Sequence, residues 1–282
     1  MTWKRVATAL VLIPVVVAIV LFTSTAVVAI ATAIITVLAL WEYFALGDAI
    51  GHRAYRLWTT FCALLLIFFQ WKESYAGHAS YFAFPMTNFI FITFAISIFV
   101  LGIAVLTLFS RRPLVEALPA AGISSSALLL VAFPLSFAVP MHSSPWQGPR
   151  LLLFALVITW AADTTAYFVG RAIGKHPLAP HISPKKTWEG SIGSMFGSLL
   201  VAYAFSFWIR VPLPHLLIMA AIGNIAGQMG DLLESAYKRS AGVKDSGGLL
   251  PGHGGILDRI DALILCIPVI WYYLVLVNPP AL

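Results

Sequence analysis

Charge is what this chain has least of. Only 10% of its 282 residues are Asp, Glu, Lys or Arg, against roughly 25% in an ordinary soluble domain. With 60% hydrophobic residues and a mean hydropathy of +0.92, that shortage excludes a water-soluble globule. Cysteine is scarce as well. Cys62 and Cys266 both stand inside apolar runs with no metal-ligand spacing, which excludes a disulfide scaffold or a cysteine zinc cage and leaves two buried thiols. The patterns G-x-x-x-x-G-K-[ST], G-x-G-x-x-G and H-E-x-x-H are missing, so P-loop, Rossmann and zincin chemistry have no motif to rest on. His176, His181 and His215 have no evident partners and read as core or surface histidines.

What the chain has in abundance is long apolar runs. Lipid offers no hydrogen bonds, so a spanning segment must satisfy its own backbone as a helix of about 20 mostly apolar residues. Such runs are Val6 to Phe22, Thr25 to Leu46, Leu57 to Trp71, Met86 to Phe109 and Ile123 to Met141, followed by Leu151 to Gly170, Gly190 to Ile209, Leu213 to Met229 and Ala262 to Val277. They do not alternate, which excludes barrel strands. Lys4 and Arg5 precede the first run as in a signal peptide, but it exceeds the roughly 7–15-residue apolar core of one and reads as an uncleaved helix. The expectation is an all-α, polytopic transmembrane bundle of about nine helices. Residues 1–150 would form its hydrophobic N-terminal part, and residues 151–282 a C-terminal catalytic part with cytoplasmic loops 171–190 and 231–261.

Lys and Arg mark the cytoplasmic side of short loops. With the N-terminus inside, 14 of the 17 basic residues fall inside and only Lys72, Arg150 and Arg210 outside, a split that the opposite orientation would invert. The N-terminus is therefore expected in the cytoplasm and the C-terminus outside. Attraction to anionic headgroups alone would also account for Arg53, Arg56, Arg111 and Arg112.

Seven of the eleven carboxylates lie in the last 120 or so positions, which locates the chemistry there. Glu42, Asp48, Glu73 and Glu116 are placed singly and read as solvated or snorkelling. A carboxylate within a span is retained where it lines a cavity, pairs or binds a cation, and Asp163 sits inside the sixth run. Asp231 and Glu234, at i and i+3, share a helix face at the end of the eighth run, and Asp258 and Asp261 repeat that spacing at the start of the ninth. The intervening loop, Ser235 to Leu257, carries Lys238, Arg239, Lys244, Asp245 and His253 among glycines that permit close backbone approach to phosphate. Its carboxylates suit a metal and its cations suit phosphate, although a purely structural Gly-rich loop has the same composition. Ser183, Lys185 and Lys186 precede a helix start, where the helix dipole favours an anion; a positive-inside anchor with Ser183 as helix cap is the alternative. Gly190, Gly193 and Gly197 form a small-residue face suited to close helix packing.

Taken together, Ser183-Pro-Lys-Lys-Thr-Trp-Glu-Gly190, Gly230-Asp231 with Glu234-Ser235, Ser235-Ala-Tyr-Lys-Arg239, Lys244-Asp-Ser-Gly247 and Pro251-Gly-His-Gly-Gly-Ile-Leu-Asp-Arg-Ile-Asp261 resemble the signature of the phosphatidate cytidylyltransferases, or CDP-diacylglycerol synthases. Asp163 followed by Tyr167 and Gly170-Arg171 fits the same pattern, and the match runs from Asp163 to Asp261. The resemblance implies a bacterial inner-membrane enzyme with its active site facing the cytoplasm. It would transfer CMP from CTP to phosphatidic acid, giving CDP-diacylglycerol and pyrophosphate in phospholipid biosynthesis. Its implied cofactor is Mg²⁺, with a second cation such as K⁺ left open. Its implied partners are CTP, phosphatidic acid, membrane lipids and a second copy in a homodimer, with no nucleic acid. Asp231 and Asp258 would hold the metal and, with Asp261 and Lys244, carry catalysis. Asp163, Ser183, Lys185, Lys186, Glu234, Lys238, Arg239, Asp245, His253 and Arg259 would bind substrate, with no particular role assigned to His253. A lipid kinase using the terminal phosphate of a nucleotide, and an ion-coupled transporter, are the competing readings. The carboxylates gather at one face and no repeat is visible, which disfavours transport.

Overall fold

The computed structural model of the protein describes residues 2–75, 86–144, 147–249 and 254–277, and the side chains of all of these but 2–9, 75 and 86–89. Among the described residues the helices are α1 (Thr2–Phe22), α2 (Thr25–Ala49), α3 (Arg56–Tyr75), α4 (Met86–Phe109), α5 (Leu114–His142), α6 (Gly148–Ile173), α7 (Trp188–Phe205), α8 (Leu213–Ser240) and α9 (Leu257–Val277). They follow the nine apolar runs in order. Six of them, α2, the Ile90–Phe109 part of α4, α5, α6, α8 and α9, are long and apolar enough to cross a membrane, which makes this a helical multi-pass membrane protein. Of the other helices, α1 is apolar over the shorter stretch Leu10–Phe22, α3 ends on Gln70, Lys72 and Glu73, and α7 interleaves glycine and serine with its aliphatic residues.

Helix α5 is irregular in the middle. Residues Leu128–Ala132 form a π-helical turn just before Pro134. Proline has no N–H to donate and its ring clashes with the carbonyl four residues earlier, so the helix opens by one residue at that point.

The chain divides into two compact units. The first comprises Met1–Pro140 and Ser240–Arg259, and the second Met141–Arg239 and Ile260–Leu282. In the first, α3 and α4 meet through Trp58, whose indole lies 2.0 Å from where a Cβ on Gly102 would stand and donates to Phe99 O at 3.2 Å. Two of the carboxylates in this unit that read as solvated have partners. Asp48 pairs with Arg56, and Glu116 with His52 at 3.1 Å.

In the second unit, α6 and α7 pack along the glycine face expected from the sequence. A Cβ on Gly193 would lie 2.7 Å from Val169 Cβ, and one on Gly197 2.5 Å from Thr165 Oγ1. Without a hydrophobic drive between helices in lipid, such close approach is what gives the pair its van der Waals attraction. Between these helices the segment read as a loop forms a small antiparallel hairpin, β1 (Pro177–Ala179) with β2 (Ser183–Thr187). The cap of α7 is Thr187, not Ser183: Thr187 Oγ1 accepts from Gly190 N at 3.1 Å, because Ser183 starts the strand and only Thr187 stands one residue before the helix. Cys62 and Cys266 are buried free thiols, as expected.

The glycine face predicts a specific sensitivity. Gly193→Leu must displace Val169 or part the helices, at a cost of about 1–3 kcal/mol. Gly122→Ala, whose Cβ meets nothing within 4 Å, is the control. Thermal unfolding in detergent should show a lowered midpoint for the first and none for the second, and equal midpoints would contradict the packing described.

Candidate active site

Helix α8 does not stop at Met229. It runs on to Ser240, because Leu232, Leu233, Ala236 and Tyr237 continue the helical pattern past the charged residues. Asp231 and Glu234 share the α8 face that their spacing predicts, and Ser235, Lys238 and Arg239, expected in the following loop, project from the same helix. Glu234 and Lys238, one turn apart, form an ion pair that is buried at both ends, with 4% and 8% exposure. Arg239 Nε donates to Ile182 O at the hairpin turn, at 3.4 Å.

A cavity of about 420 Å³ opens in the second unit. Lys185 and Lys186 from β2, Arg171 from the end of α6, and Asp163 and Asp231 from α6 and α8 all line it. Lys186 Nζ lies 2.5 Å from Asp231 Oδ2, both half-buried. Asp261, in the first turns of α9, has Asp231, Glu234 and Asp163 as its electrostatic neighbours. The floor is neutral and polar: Asn224 Nδ2 donates to Ser198 Oγ at 2.9 Å, and Gln228 Nε2 to Ser194 Oγ at 2.9 Å. Asn224 and Gln228 lie one turn apart on α8, facing serines one turn apart on α7, so the buried Asn224 amide and the partly buried Gln228 amide each find a partner. These two amides were missed in the sequence, where nothing marks an uncharged residue inside an apolar run as cavity lining.

The hairpin that carries the lysines is fixed at its base. Glu189 accepts from Lys175 N at 3.1 Å and pairs with the His176 ring at 2.6 Å, which gives His176 the partner that its sequence context lacked. Its own backbone N–H, then the His176 ring, hold the Glu189 carboxyl down at about 2. His215 is likewise partnered, by the Tyr273 hydroxyl at 2.8 Å, whereas His181 is exposed.

The remaining candidates belong to the first unit, where α9 begins at Leu257 and includes Asp258 in its first turn. Asp258 Oδ2 accepts from Ser246 N at 3.1 Å and Gly255 N at 2.8 Å, folding the segment back on the helix start. Gly254 sits at φ +82°, a left-handed conformation that only glycine adopts without strain. Lys244, Asp245 and Arg259 are exposed, and His253 lies outside the described residues. A carboxylate that the sequence offered as solvated comes to this segment from α2. Glu42 accepts from Ser246 Oγ at 2.9 Å, Ile256 N at 2.9 Å and Leu257 N at 2.8 Å. The signal for it was the one that located Asp163, an ionisable residue inside an apolar run, but no neighbouring motif drew attention to it.

The second unit thus gathers cations and carboxylates around one cavity, an arrangement suited to a polyphosphate. The model of the cytidylyltransferase family matches residues 3–277, nearly the whole sequence, and the chain belongs to that family. It is 38% identical over 157 residues to the phosphatidate cytidylyltransferase of Bacillus subtilis (strain 168), covering 55% of this chain and 58% of that one. To the protein of the same name from Haemophilus influenzae it is 40% identical over 171 residues, 58% of each chain. To that of Staphylococcus haemolyticus it is 48% identical over 126 residues, 44% of this chain and 48% of that one. The chain therefore spans between about half and three fifths of the length of these curated relatives.

Lys238→Met would leave the buried Glu234 carboxylate without its adjacent cation, and breaking such a pair costs about 3–5 kcal/mol. Glu234→Gln combined with Lys238→Met should regain most of that loss. Thermal melts of both single variants and the double variant measure the coupling, and strictly additive losses would mean that the pair contributes nothing as a pair.

Proposed function

We propose that the chain is a phosphatidate cytidylyltransferase, transferring CMP from CTP to phosphatidic acid with release of pyrophosphate. The observation that carries this reading is the second unit's cavity, where Lys185, Lys186 and Arg171 meet Asp163 and Asp231. The family membership and the names of the relatives point the same way. The phosphate of phosphatidic acid carries between one and two negative charges near neutral pH and is already a nucleophile. Its oxygen forms a bond to the α-phosphorus of CTP as the bond from that phosphorus to the bridging oxygen breaks, and pyrophosphate leaves with the electron pair. No proton has to be removed, so the protein's work is positioning and charge neutralisation.

Lys185, Lys186 and Arg171 offer fixed positive charge for a triphosphate. Binding would require Lys186 to exchange Asp231 for phosphate, releasing that carboxylate at the moment the nucleotide arrives. The donor chemistry also suits Mg²⁺. Among the described residues no three His, Cys, Asp or Glu side chains form a cage, and Mg²⁺ characteristically binds through one or two carboxylates with water and substrate phosphates completing its shell. Asp231 would hold it, with Asp258 the second ligand implied by the resemblance, and the ion would supply charge neutralisation for the leaving pyrophosphate. Asp261 would orient this group and Arg239 would add positive charge for the phosphates; for Lys244 and Arg259 that role is what the resemblance implies, whereas Lys238 is held in its buried pair with Glu234. The same reading admits a second cation such as K⁺ and a homodimer.

The distribution of Lys and Arg supports a cytoplasmic N-terminus and cytoplasmic hairpin in a bacterial inner membrane. A lipid kinase would use the same cations, so the fate of the label decides between the two. With purified protein, CTP, phosphatidic acid and Mg²⁺, label from the α-phosphate should enter the lipid and label from the γ-phosphate should leave in pyrophosphate. Asp231→Asn should abolish transfer while the protein remains inserted. Entry of γ-label into lipid would overturn the reading.

A further inference from the structure

We propose that Glu42, on α2, is a positioning residue for Asp258: it ties Ser246 to Ile256 and Leu257 at the start of α9 and thereby sets the Asp258 carboxylate. The inference rests on the cytidylyltransferase reading for its catalytic consequence, but the clamp itself stands on geometry.

Helix α2 is apolar over most of its length and is one of the six candidate spans. A carboxylate there is costly unless something answers its charge. In this protein three donors do so, and all come from one short segment some two hundred residues later: the Ser246 hydroxyl and the N–H groups of Ile256 and Leu257. The last two are the opening N–H groups of α9, which have no partner within their own helix. Glu42 therefore caps α9 from outside, and its negative charge stands at the positive end of that helix dipole. Asp258, one residue into the helix, completes the arrangement by accepting from Ser246 N and Gly255 N. Both carboxylates hold Ser246, one by its hydroxyl and the other by its amide, so a shift of Glu42 is passed directly to Asp258.

The glycines in the segment fit this role. A Cβ on Gly255 would stand 2.2 Å from Glu42 Oε2, and one on Gly247 2.5 Å from Glu42 Oε1. The segment is thus glycine-rich where a carboxylate from another helix must reach its backbone. That gives α2 a function beyond anchoring: it supplies the acceptor that holds Ser246 and the first N–H groups of α9.

The test uses the full-length protein in detergent micelles with Glu42→Gln, Glu42→Ala and Gly255→Ala. Hydrogen–deuterium exchange without metal or nucleotide reads the clamp independently of any reaction. Exchange at 246–257 should accelerate in all three variants while the helices elsewhere stay protected and the thermal midpoint stays near that of the parent. In the transfer assay, losing an outer partner of a metal-holding carboxylate typically costs about 10- to 100-fold in metal affinity or activity. The variants should accordingly need more Mg²⁺ for half-maximal rate and turn over more slowly, with Glu42→Gln milder than Glu42→Ala because its amide oxygen can still accept. Unchanged exchange at 246–257 in Glu42→Ala would overturn the clamp whatever the reaction. Accelerated exchange with an unaltered rate and Mg²⁺ requirement would overturn the positioning role, and a uniform loss of protection with a lowered midpoint would make Glu42 a general stability residue instead. If the parent protein transferred no CMP, the functional reading would fail while the exchange result still decided the clamp.

Discussion

An ionised carboxylate in or beside an apolar helix must be answered by a cation or by hydrogen-bond donors, since the surrounding hydrocarbon offers neither. Each of the carboxylates described in detail obeys this constraint differently. Glu234 is answered by Lys238 one turn along its own helix, Asp231 by Lys186 from the hairpin, and Glu42 by two helix-opening amides and a hydroxyl. The differences matter for chemistry. An intrahelical pair with both ends buried is a fixed element, whereas a half-buried pair between a strand and a helix can be opened by a competing anion.

That contrast explains why the second unit can be both stable and receptive. Its glycine-faced helix pair α6–α7 and its network of Ser194, Ser198, Asn224 and Gln228 satisfy their own packing and hydrogen bonds without help from a ligand. The lysines at the cavity are held by a hairpin whose base Glu189 ties down. A preformed set of positive charges of this kind stabilises phosphates without reorganisation at the moment of reaction. The neutral polar floor adds hydrogen-bonding groups without adding charge.

Most of the helical framework was legible in the sequence, because apolar runs between charged or Pro-rich breaks leave little freedom in lipid, and α4 begins and ends on the residues where its run does. The boundaries failed where charge was taken as the end of a helix. α8 continues beyond Glu234 through Lys238 and Arg239, since charged residues that pair along a helix do not stop it. The hairpin was hidden because strands of three and five residues are too short for a periodic signal. The lysines and carboxylates of the site were legible as a cluster of residue types, yet the Lys186–Asp231 pair was not, because it joins positions 45 residues apart through the fold alone. Glu42 was misread for the same reason: its partners are more than two hundred positions away.

The proposed transfer depends on a nucleotide triphosphate displacing Asp231 from Lys186 in the second unit's cavity. A cryo-electron-microscopy structure of the protein with CTP and Mg²⁺ tests it directly. The expected result is phosphate density against Lys185 and Lys186, with the Lys186 ammonium moved from Asp231 onto phosphate oxygen. A triphosphate bound outside this cavity, with the Lys186–Asp231 pair still closed, would contradict it.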